Sequence, residues 1–374
     1  MERCETLKEG SPERNYNLRS FERELDALFQ VVRARLGRKD IDHISRVARG
    51  SSACEWIGRL LIHFSFEPIT YVFGIFTLWI HKQLELTELG HNIQHGTYET
   101  IPGAEKFTPE RQRWRFRARV PVHAPSWRNS HNRLHHGLTN VIGRDPDARL
   151  FQRTARSEDF HWHHRFQFVE LFLNWPNIIF HANIAATGVF EVYTRRSGDQ
   201  EILPDRSWKG VLGAHRRAIA GSVLYFLREY GLFPLLAGPM YVKVAFGNWL
   251  SSLMRNLFSA PILYAAHINP SVAIYPKDTR ASSRAEWYEM QVLSTQNFRF
   301  PPLLSVLSGG LDYQIEHHLF PSLPPNRLRE IAPDVRRICE KHGIRYNTCP
   351  WNEAVAQVFV QLRRLSRPTE ERAT

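Results

Sequence analysis

The chain has 374 residues, of which 43% are hydrophobic and 23% are charged, so it can bury a large core in one to three domains. Its formal net charge of +12 predicts a negatively charged partner, such as lipid headgroups, an acidic electron carrier or an anionic substrate. No nucleic-acid-binding motif accompanies the charge, so no nucleic-acid partner is expected. The four cysteines form no C-x-x-C pair, which argues against a sulfur-ligated metal and fits a reducing cytoplasm.

Residues 1–52 are polar and form the first of three predicted segments. Their first 20 residues contain no apolar stretch of the kind found in signal peptides, so no such peptide is expected. Ser20 is predicted to cap a helix that ends near Gly37. The apolar side chains of this helix recur at helical spacing, at Leu25, Leu28, Phe29, Val32 and Leu36.

Two apolar tracts, at 56–80 and 219–267, predict membrane-spanning helices within the second segment, residues 53–345. A helix that begins at Pro68 is expected to cross the bilayer and to emerge at a histidine cluster. The second tract fits a helical hairpin that turns near Gly238. Charged side chains inside this tract would have to reach the interface or face a protein cavity. They are Arg228, Glu229, Lys243 and Arg255.

The other predicted helices are interfacial or amphipathic. Residues 165–192 are aromatic and are interrupted by Pro176, which favours helices that lie in the membrane interface. Amphipathic helices are predicted at about 327–341 and 352–365, the second of these in a third segment, residues 346–374. The mean hydropathy of −0.37 is low for a membrane protein, so few spans and a large cytoplasmic cap are expected.

Three histidine clusters carry the functional argument. They are His91-Asn-Ile-Gln-His95, His131-Asn-Arg-Leu-His135-His136 and Gln314-Ile-Glu-His317-His318. Two histidines four residues apart lie on one face of a helix, and neutral imidazole is a preferred ligand of iron and zinc. The clusters contain more ligands than one tetrahedral zinc can use, so they predict a two-metal site. The adjacent pair His163-His164 is expected to be accidental.

The predicted topology brings the clusters together. If both apolar tracts enter the membrane from the same side, the three clusters and His267 meet on that side, and basic loops place it in the cytoplasm. An all-nitrogen site suits oxidative attack on an unactivated C–H bond. Acidic residues close to the clusters are candidates for orienting the ligands. They are Glu88, Asp145, Asp147, Asp312 and Glu316.

Other functions use some of the same residues. The pairs Glu88 and His91, and Glu158 and His161, fit the E-x-x-H pattern of soluble carboxylate-bridged di-iron bundles, but that interpretation leaves five clustered histidines idle. A membrane zinc hydrolase needs only three protein ligands and also leaves ligands unused. A non-catalytic metal-binding membrane protein is a further alternative, against which the intact clusters argue.

At these clusters the chain resembles the membrane fatty acid desaturases of the histidine-box, di-iron type, over roughly residues 55–345. The resemblance rests on the stretches Glu-Leu-Gly-His91-Asn-Ile-Gln-His95-Gly, Trp127-x-x-Ser-His131-Asn-x-x-His135-His136-x-x-Thr-Asn140 and Gly-Gly-Leu-Asp-Tyr-Gln314-Ile-Glu-His317-His318-Leu-Phe-Pro. Further matching residues are Trp287, Tyr288, Gln291, Thr295, Asn297 and Phe298.

The resemblance implies an all-α integral membrane protein with about four spans under a cytoplasmic helical cap that holds two iron ions. It implies O₂-dependent desaturation of a fatty acyl chain, carried by coenzyme A or by a lipid, with hydroxylation at the same centre left open. The implied catalytic metal ligands are His91, His95, His131, His135, His136, His317 and His318. His267 and Gln314 are implied as further metal ligands, the latter with its role open.

Two departures from the common family pattern refine this expectation. Gln314 stands where many members have histidine, which resembles front-end desaturases. The His-Pro-Gly-Gly motif of a fused haem-binding donor domain does not occur in the sequence, so a separate ferredoxin or reductase is expected to supply electrons. In both respects the chain most resembles bacterial acyl-CoA desaturases.

Overall fold

The computed structural model describes residues 12–147, 160–194 and 202–368, and almost all regular structure in these ranges is helical. The α-helices are α1 (Pro12–Ala34), α2 (Arg38–Phe64), α3 (Pro68–Leu84), α4 (Asn92–Gln94), α5 (Arg113–Arg119), α6 (Ala124–Trp127), α7 (Gln167–Asn174), α8 (Ile178–Thr187), α9 (Val189–Thr194), α10 (Trp208–Phe226), α11 (Phe233–Leu236), α12 (Tyr241–His267), α13 (Arg284–Leu293), α14 (Pro302–Ser308), α15 (Gln314–Leu319), α16 (Pro325–Lys341) and α17 (Trp351–Leu365).

Two other kinds of element complete the described residues. Wider π-helical segments occur at Glu85–His91, Arg128–His135 and Leu227–Leu232, and short 3₁₀ turns at Glu105–Phe107, Trp162–Phe166, Trp175–Asn177 and Gly238–Met240. Strands β1 (Asn297–Arg299) and β2 (Thr348–Pro350) pair in parallel.

Helices α1, α13 and α16 share one core. Leu25 and Val32 of α1 are buried against Tyr288 of α13 and Val335 of α16. The predicted apolar face of α1 is therefore confirmed. Its predicted cap is wrong, because Ser20 lies inside α1, which already extends from Pro12. The predicted amphipathic helices match α16 and α17, and the division into three segments stays a prediction.

Helices α2, α3 and α12 form the part of the fold that carries the longest apolar tracts. Gly58 of α2 and Gly74 of α3 allow a close approach, since a Cβ atom at Gly58 would lie 2.7 Å from the Leu78 nitrogen. The chain reverses at Gly238, whose φ of +54° favours glycine. This reversal matches the turn predicted in the second apolar tract.

The charged side chains of these helices pair with one another inside the protein. Glu229 is 1% exposed, and its carboxylate lies 2.5 Å from Arg59 Nη2 and 2.8 Å from Lys82 Nζ. Arg228 pairs with Glu55, which also pairs with Arg59. Arg228 and Glu229 therefore face a protein interior, the second of the two outcomes expected for the charges in this tract.

No helix in the described ranges combines the length and the apolar character that crossing a bilayer requires. The expected fold of about four spans under a cytoplasmic cap is therefore wrong for these ranges. The helix that begins at Pro68 has 17 residues before it widens into the π-helical segment, against about 20 needed for a span. Helix α12 is long enough at 27 residues, but polar and charged side chains such as Asn248 and Arg255 lower its hydropathy.

Candidate metal centre

The first two histidine clusters lie on π-helical segments, which are frequent at functional sites because they widen the helix locally. Helix α3 continues into the segment Glu85–His91, and His95 follows one short turn later. Gly90 is required here, because a Cβ atom would lie 2.3 Å from the Glu85 carbonyl oxygen. His131 and His135 of the second cluster lie in the segment Arg128–His135, and His136 follows it directly.

One group of four histidines converges on a single point. His91, His95, His131 and His317 each offer a ring nitrogen, and these nitrogens lie within 4.8 Å of one another. His91 Nε2 is 3.3 Å from His95 Nε2 and 3.2 Å from His131 Nε2. Nitrogens bound about 2.1 Å from one ion are separated by about 3.0–3.4 Å. The spacing of this first group therefore fits the ligands of one metal ion.

A second group contains His135, His267 and His318, whose nitrogens also lie within 4.8 Å of one another. His267 is the last residue of α12, so it comes to the site from a different helix than the three clusters. His136 lies between the two groups, with its ring centroid 4.4 Å from that of His318 and 4.9 Å from that of His317. Neither ring nitrogen of His136 has a hydrogen-bond partner in the described ranges.

Three polar side chains, of which Asp145 and Gln291 are buried, fix the orientation of the histidines. His131 Nδ1 lies 2.6 Å from Asp147 Oδ2, and His135 Nδ1 lies 2.9 Å from Asp145 Oδ1. His318 Nδ1 donates to Gln291 Oε1 at 3.0 Å. A proton held on Nδ1 leaves the Nε2 lone pair free for a metal, and such partners normally raise ligand basicity.

Burial keeps most of these imidazoles neutral, the form that binds metal. It lowers the pKa of His91 and of His267 to about 3, and lowers the pKa of His95 and His136 well below the usual value. Burial also lowers the pKa of His135, but the charges of Asp145 and Asp147 outweigh this effect and raise it to about 9. His135 is therefore the cluster histidine that must lose a proton when a metal binds.

A cavity with mostly apolar walls reaches both groups. Its walls include Leu86, Phe116, Val120, Ile262 and Leu311, and cluster histidines form part of its lining. Such a cavity suits a long hydrocarbon chain brought against a metal, because apolar walls exclude water and bind methylene groups.

The other predicted site residues have mixed outcomes. Gln314 is buried and lines the cavity. Asp312 accepts from the hydroxyls of Ser305 and Ser308. Glu316 accepts from Asn297 and Tyr346, and Glu88 lies against His43. Of the five acidic candidates, only Asp145 and Asp147 therefore contact a cluster histidine within the described ranges.

Two expectations concern residues away from the centre. The ring of His163 contacts those of His161 and His164, and these three histidines belong to neither group. The idea that His163 is irrelevant to the metal stays a prediction. The carboxylate-bridged di-iron alternative uses Glu88 and Glu158. Glu158 lies outside the described residues, and Glu88 is hydrogen-bonded to His43 rather than to a cluster histidine.

The positioning roles of Asn140, Thr139 and Gln291 were not predicted. Asn140 has a φ of +56°, and its side-chain amide donates to the carbonyls of Ala273 and Ser294. Its backbone N–H donates to Asp145 Oδ2 at 2.8 Å. Thr139 Oγ1 lies 2.9 Å from Gln291 Oε1. In the sequence, the Thr-Asn pair after the second cluster and Gln291 indicate these roles only through their match to the family.

Fold and site together define a helical protein with histidine groups that could hold metal at the end of an apolar cavity. The sequence profile described as fatty acid desaturase matches residues 63–350, most of the chain. The chain belongs to the fatty acid desaturase family and is an enzyme of that family.

Named relatives agree with this assignment. The chain is 28% identical over 356 residues to the NADPH-dependent stearoyl-CoA 9-desaturase of Mycobacterium tuberculosis, covering 92% of this chain and 79% of the relative. It is 27% identical over 231 residues to the sn-1 linoleoyl-lipid 6-desaturase of Arthrospira platensis, covering 61% of this chain and 60% of the relative. A stretch of 77 residues is 40% identical to the acyl-lipid (9-3)-desaturase of Borago officinalis, covering 21% and 17%.

Proposed function

We propose that this enzyme introduces a double bond into a fatty acyl chain with O₂, at a di-iron centre bound by the two histidine groups. The observation that carries the proposal is the meeting of both groups at one cavity with apolar walls. Seven histidine nitrogens in two compact groups suit two ions, and the family membership favours iron.

When bound, the two irons would supply the activation of O₂ that breaking an unactivated C–H bond requires. The reaction balances if the two hydrogens from the acyl chain, two protons from solvent and two electrons from a donor reduce one O₂ to two waters. The protein holds the Nδ1 protons of its ligands at Asp145, Asp147 and Gln291. The apolar walls bind the acyl chain and keep solvent away from it.

The acyl carrier and the electron donor are proposed from the relatives. One relative is named for stearoyl-CoA and another for a linoleoyl lipid, so we propose an acyl-CoA or an acyl-lipid as substrate. The name of the first relative includes NADPH dependence, which supports a redox partner for this chain also. We propose that this partner is a separate ferredoxin or reductase.

We also propose a lipid surface as the site of action, with the histidine groups facing the cytoplasm. Phe66, between α2 and α3, and Ile69, in the first turn of α3, are 96% and 82% exposed. Val242, at the start of α12, is 77% exposed, and the neighbouring Lys243 donates to the carbonyl of Ser65. These apolar side chains form one exposed end of the molecule, here called the apolar end, which a lipid phase would cover. Flotation with liposomes, compared with that of Phe66→Asp, tests this proposal.

The reaction is tested by the fatty-acid profile of cells that express this chain, with double-bond positions located by mass spectrometry. We expect a new double bond that is absent with His135→Ala, because this variant removes a ligand of the second group. A hydroxylated fatty acid would show that the same centre hydroxylates instead. An unchanged profile, in cells that contain folded iron-loaded protein and a working electron donor, would contradict the proposal.

A further inference from the structure

A basic surface lies at the N-terminal end of α2. A shallow basin there, called the α2 basin, is lined by Lys39, Asp42, His43, Arg46, Arg49 and Asn326. Lys39, Arg46 and Arg49 are exposed and form no ion pair within the described ranges, whereas Asp42 pairs with Arg38 at its rim. Positive charge therefore predominates in the α2 basin.

The floor of the α2 basin connects to the interior through His43. The side chain of His43 is 20% exposed, and its Nε2 lies 2.6 Å from Oε1 of Glu88, which is 1% exposed. The other carboxylate oxygen of Glu88 is buried and has no hydrogen-bond partner in the described part of the chain. A buried carboxylate lowers folding stability when its one hydrogen-bonded side-chain partner is open to solvent. This indicates a role for Glu88 other than stability.

Glu88 leads directly to the first histidine group. It lies three residues before His91 in the same π-helical segment, and Asn92 Nδ2 donates to its carbonyl at 3.2 Å. The ring of His43 therefore connects to that of His91 through one hydrogen bond, the Glu88 side chain and the backbone of residues 88–91. This connection joins the protein surface to a metal bound by the first group.

We propose that the α2 basin docks an acidic protein that carries one electron at a time, such as an iron–sulfur protein. The inference rests on the proposed function, which requires two electrons per turnover from a separate donor. The carrier would be oxidised by one electron at each docking, and that electron would reduce a metal bound by the first group. Two dockings would supply the two electrons that accompany one O₂.

The position of the α2 basin favours a protein over a lipid headgroup. Helix α2 runs from Arg38 to Phe64, and Phe64, 69% exposed, lies two residues before Phe66 of the apolar end. From His43 to Phe64 a helix rises about 30 Å. A lipid surface that covers the apolar end would leave the α2 basin facing the aqueous phase, where opposite charge attracts a soluble partner.

The test uses the iron-loaded full-length protein and a plant-type [2Fe–2S] ferredoxin, an acidic carrier, as the probe. The affinity of the triple variant Lys39→Glu, Arg46→Glu, Arg49→Glu is compared with that of the wild type at low salt. The matched control is Lys209→Glu, Arg216→Glu, Arg363→Glu, which changes net charge equally at exposed cations on other elements. His43 stays unchanged in both variants, so Glu88 keeps its partner.

We expect the dissociation constant to rise at least tenfold in the α2 basin variant and less than threefold in the control. Stopped-flow reduction by limiting ferredoxin should slow in the same proportion, whereas reduction by dithionite should not change. Equal weakening in both variants would show a general charge effect and overturn the proposal, as would unchanged binding in the α2 basin variant.

Failure of the docking proposal can be distinguished from failure of the proposed desaturation. Reduction by dithionite without O₂, removal of the excess dithionite and then addition of O₂ allow one turnover that does not need the docking surface. Product from both the wild type and the α2 basin variant under these conditions, with unchanged ferredoxin binding, would overturn the docking proposal alone. If neither forms product while binding depends on the α2 basin, the docking surface stands and the proposed reaction fails.

Discussion

His135 and Asp145 lie ten residues apart in the sequence and are joined by a hydrogen bond, with Nδ1 of His135 2.9 Å from Oδ1 of Asp145. Both side chains are almost fully buried, with 3% and 1% exposed. The carboxylate therefore holds a proton on Nδ1 of a histidine in the second group. It also accepts from the backbone N–H groups of Asn140 and Asp147, so it organises the loop that follows the second cluster.

Asp145→Asn should lower the unfolding free energy of the metal-free protein, by an amount that depends on pH. The raised pKa of His135, about 9 against about 6.5 in the unfolded chain, stabilises the fold fully below about pH 6.5. This stabilisation is lost as the pH rises through about 9. We therefore expect Asp145→Asn to cost about 3 kcal/mol of unfolding free energy at pH 6 and distinctly less at pH 10. Urea unfolding at the two pH values measures this, and an equal loss at both would contradict the assigned role of the charge.

Gln291→Leu should weaken metal binding with little loss of fold. The substitution removes the acceptor for His318 Nδ1 while keeping much of the side-chain volume. Loss of such a partner typically lowers metal affinity by about 10–100-fold. Competition with a chelator measures the affinity. An unchanged affinity in a folded protein would mean that Thr139, 3.3 Å from the same nitrogen, is a sufficient partner.

Gly309→Ala should disturb the contact between the first and third clusters. Gly309 has a φ of +74°, and a Cβ atom there would lie 2.8 Å from the Thr87 carbonyl carbon and 2.9 Å from the Glu88 nitrogen. Gly343 is the matched control, since its φ is +68° and nothing lies within 4 Å of its Cβ position. We expect Gly343→Ala to cost about 1–2 kcal/mol through backbone strain alone, and Gly309→Ala to cost more. Thermal unfolding measures both, and equal losses would show that the close approach is unimportant.

Glu229→Gln should be among the most destabilising conservative changes in the protein. It removes the carboxylate that pairs with buried Lys82 and one of the two that pair with Arg59, the other being Glu55. Breaking a buried pair typically costs about 3–5 kcal/mol. Glu110, 71% exposed beside Arg128, provides the comparison, and Glu110→Gln should cost less than about 1 kcal/mol. Chemical unfolding of the two variants measures the difference. Similar losses would mean that the buried network contributes no more than a surface pair.

The sequence predicted the features that depend on local spacing. Helices α16 and α17 were predicted from amphipathic periodicity. The histidine clusters were predicted to meet because of a membrane topology that the described helices do not have, yet they do meet. His267 was added to this set through family resemblance, and it lies in the second group. Helices α16 and α17 could be predicted because amphipathic periodicity depends only on neighbours in the chain.

The predictions that failed depend on contacts between distant residues. The spans were inferred from apolar tracts, but Arg59 and Glu229 meet across 170 positions and build a charged interior between those tracts. Asp145 and Asp147 were two of five acidic candidates, and only the folded loop shows that they, rather than Glu88, Asp312 or Glu316, hold cluster histidines. The role of Gln291 depends on a contact with His318, 27 residues away.

The division of the ligands into two groups is tested most directly by the number of iron ions bound per folded chain, measured by elemental analysis. We expect two ions in the wild type and in His163→Ala. We expect one ion in His317→Ala, which breaks the first group, and one in His267→Ala, which breaks the second group. A single ion in the wild type, or no loss of iron in either cluster variant, would contradict a centre built from two histidine groups.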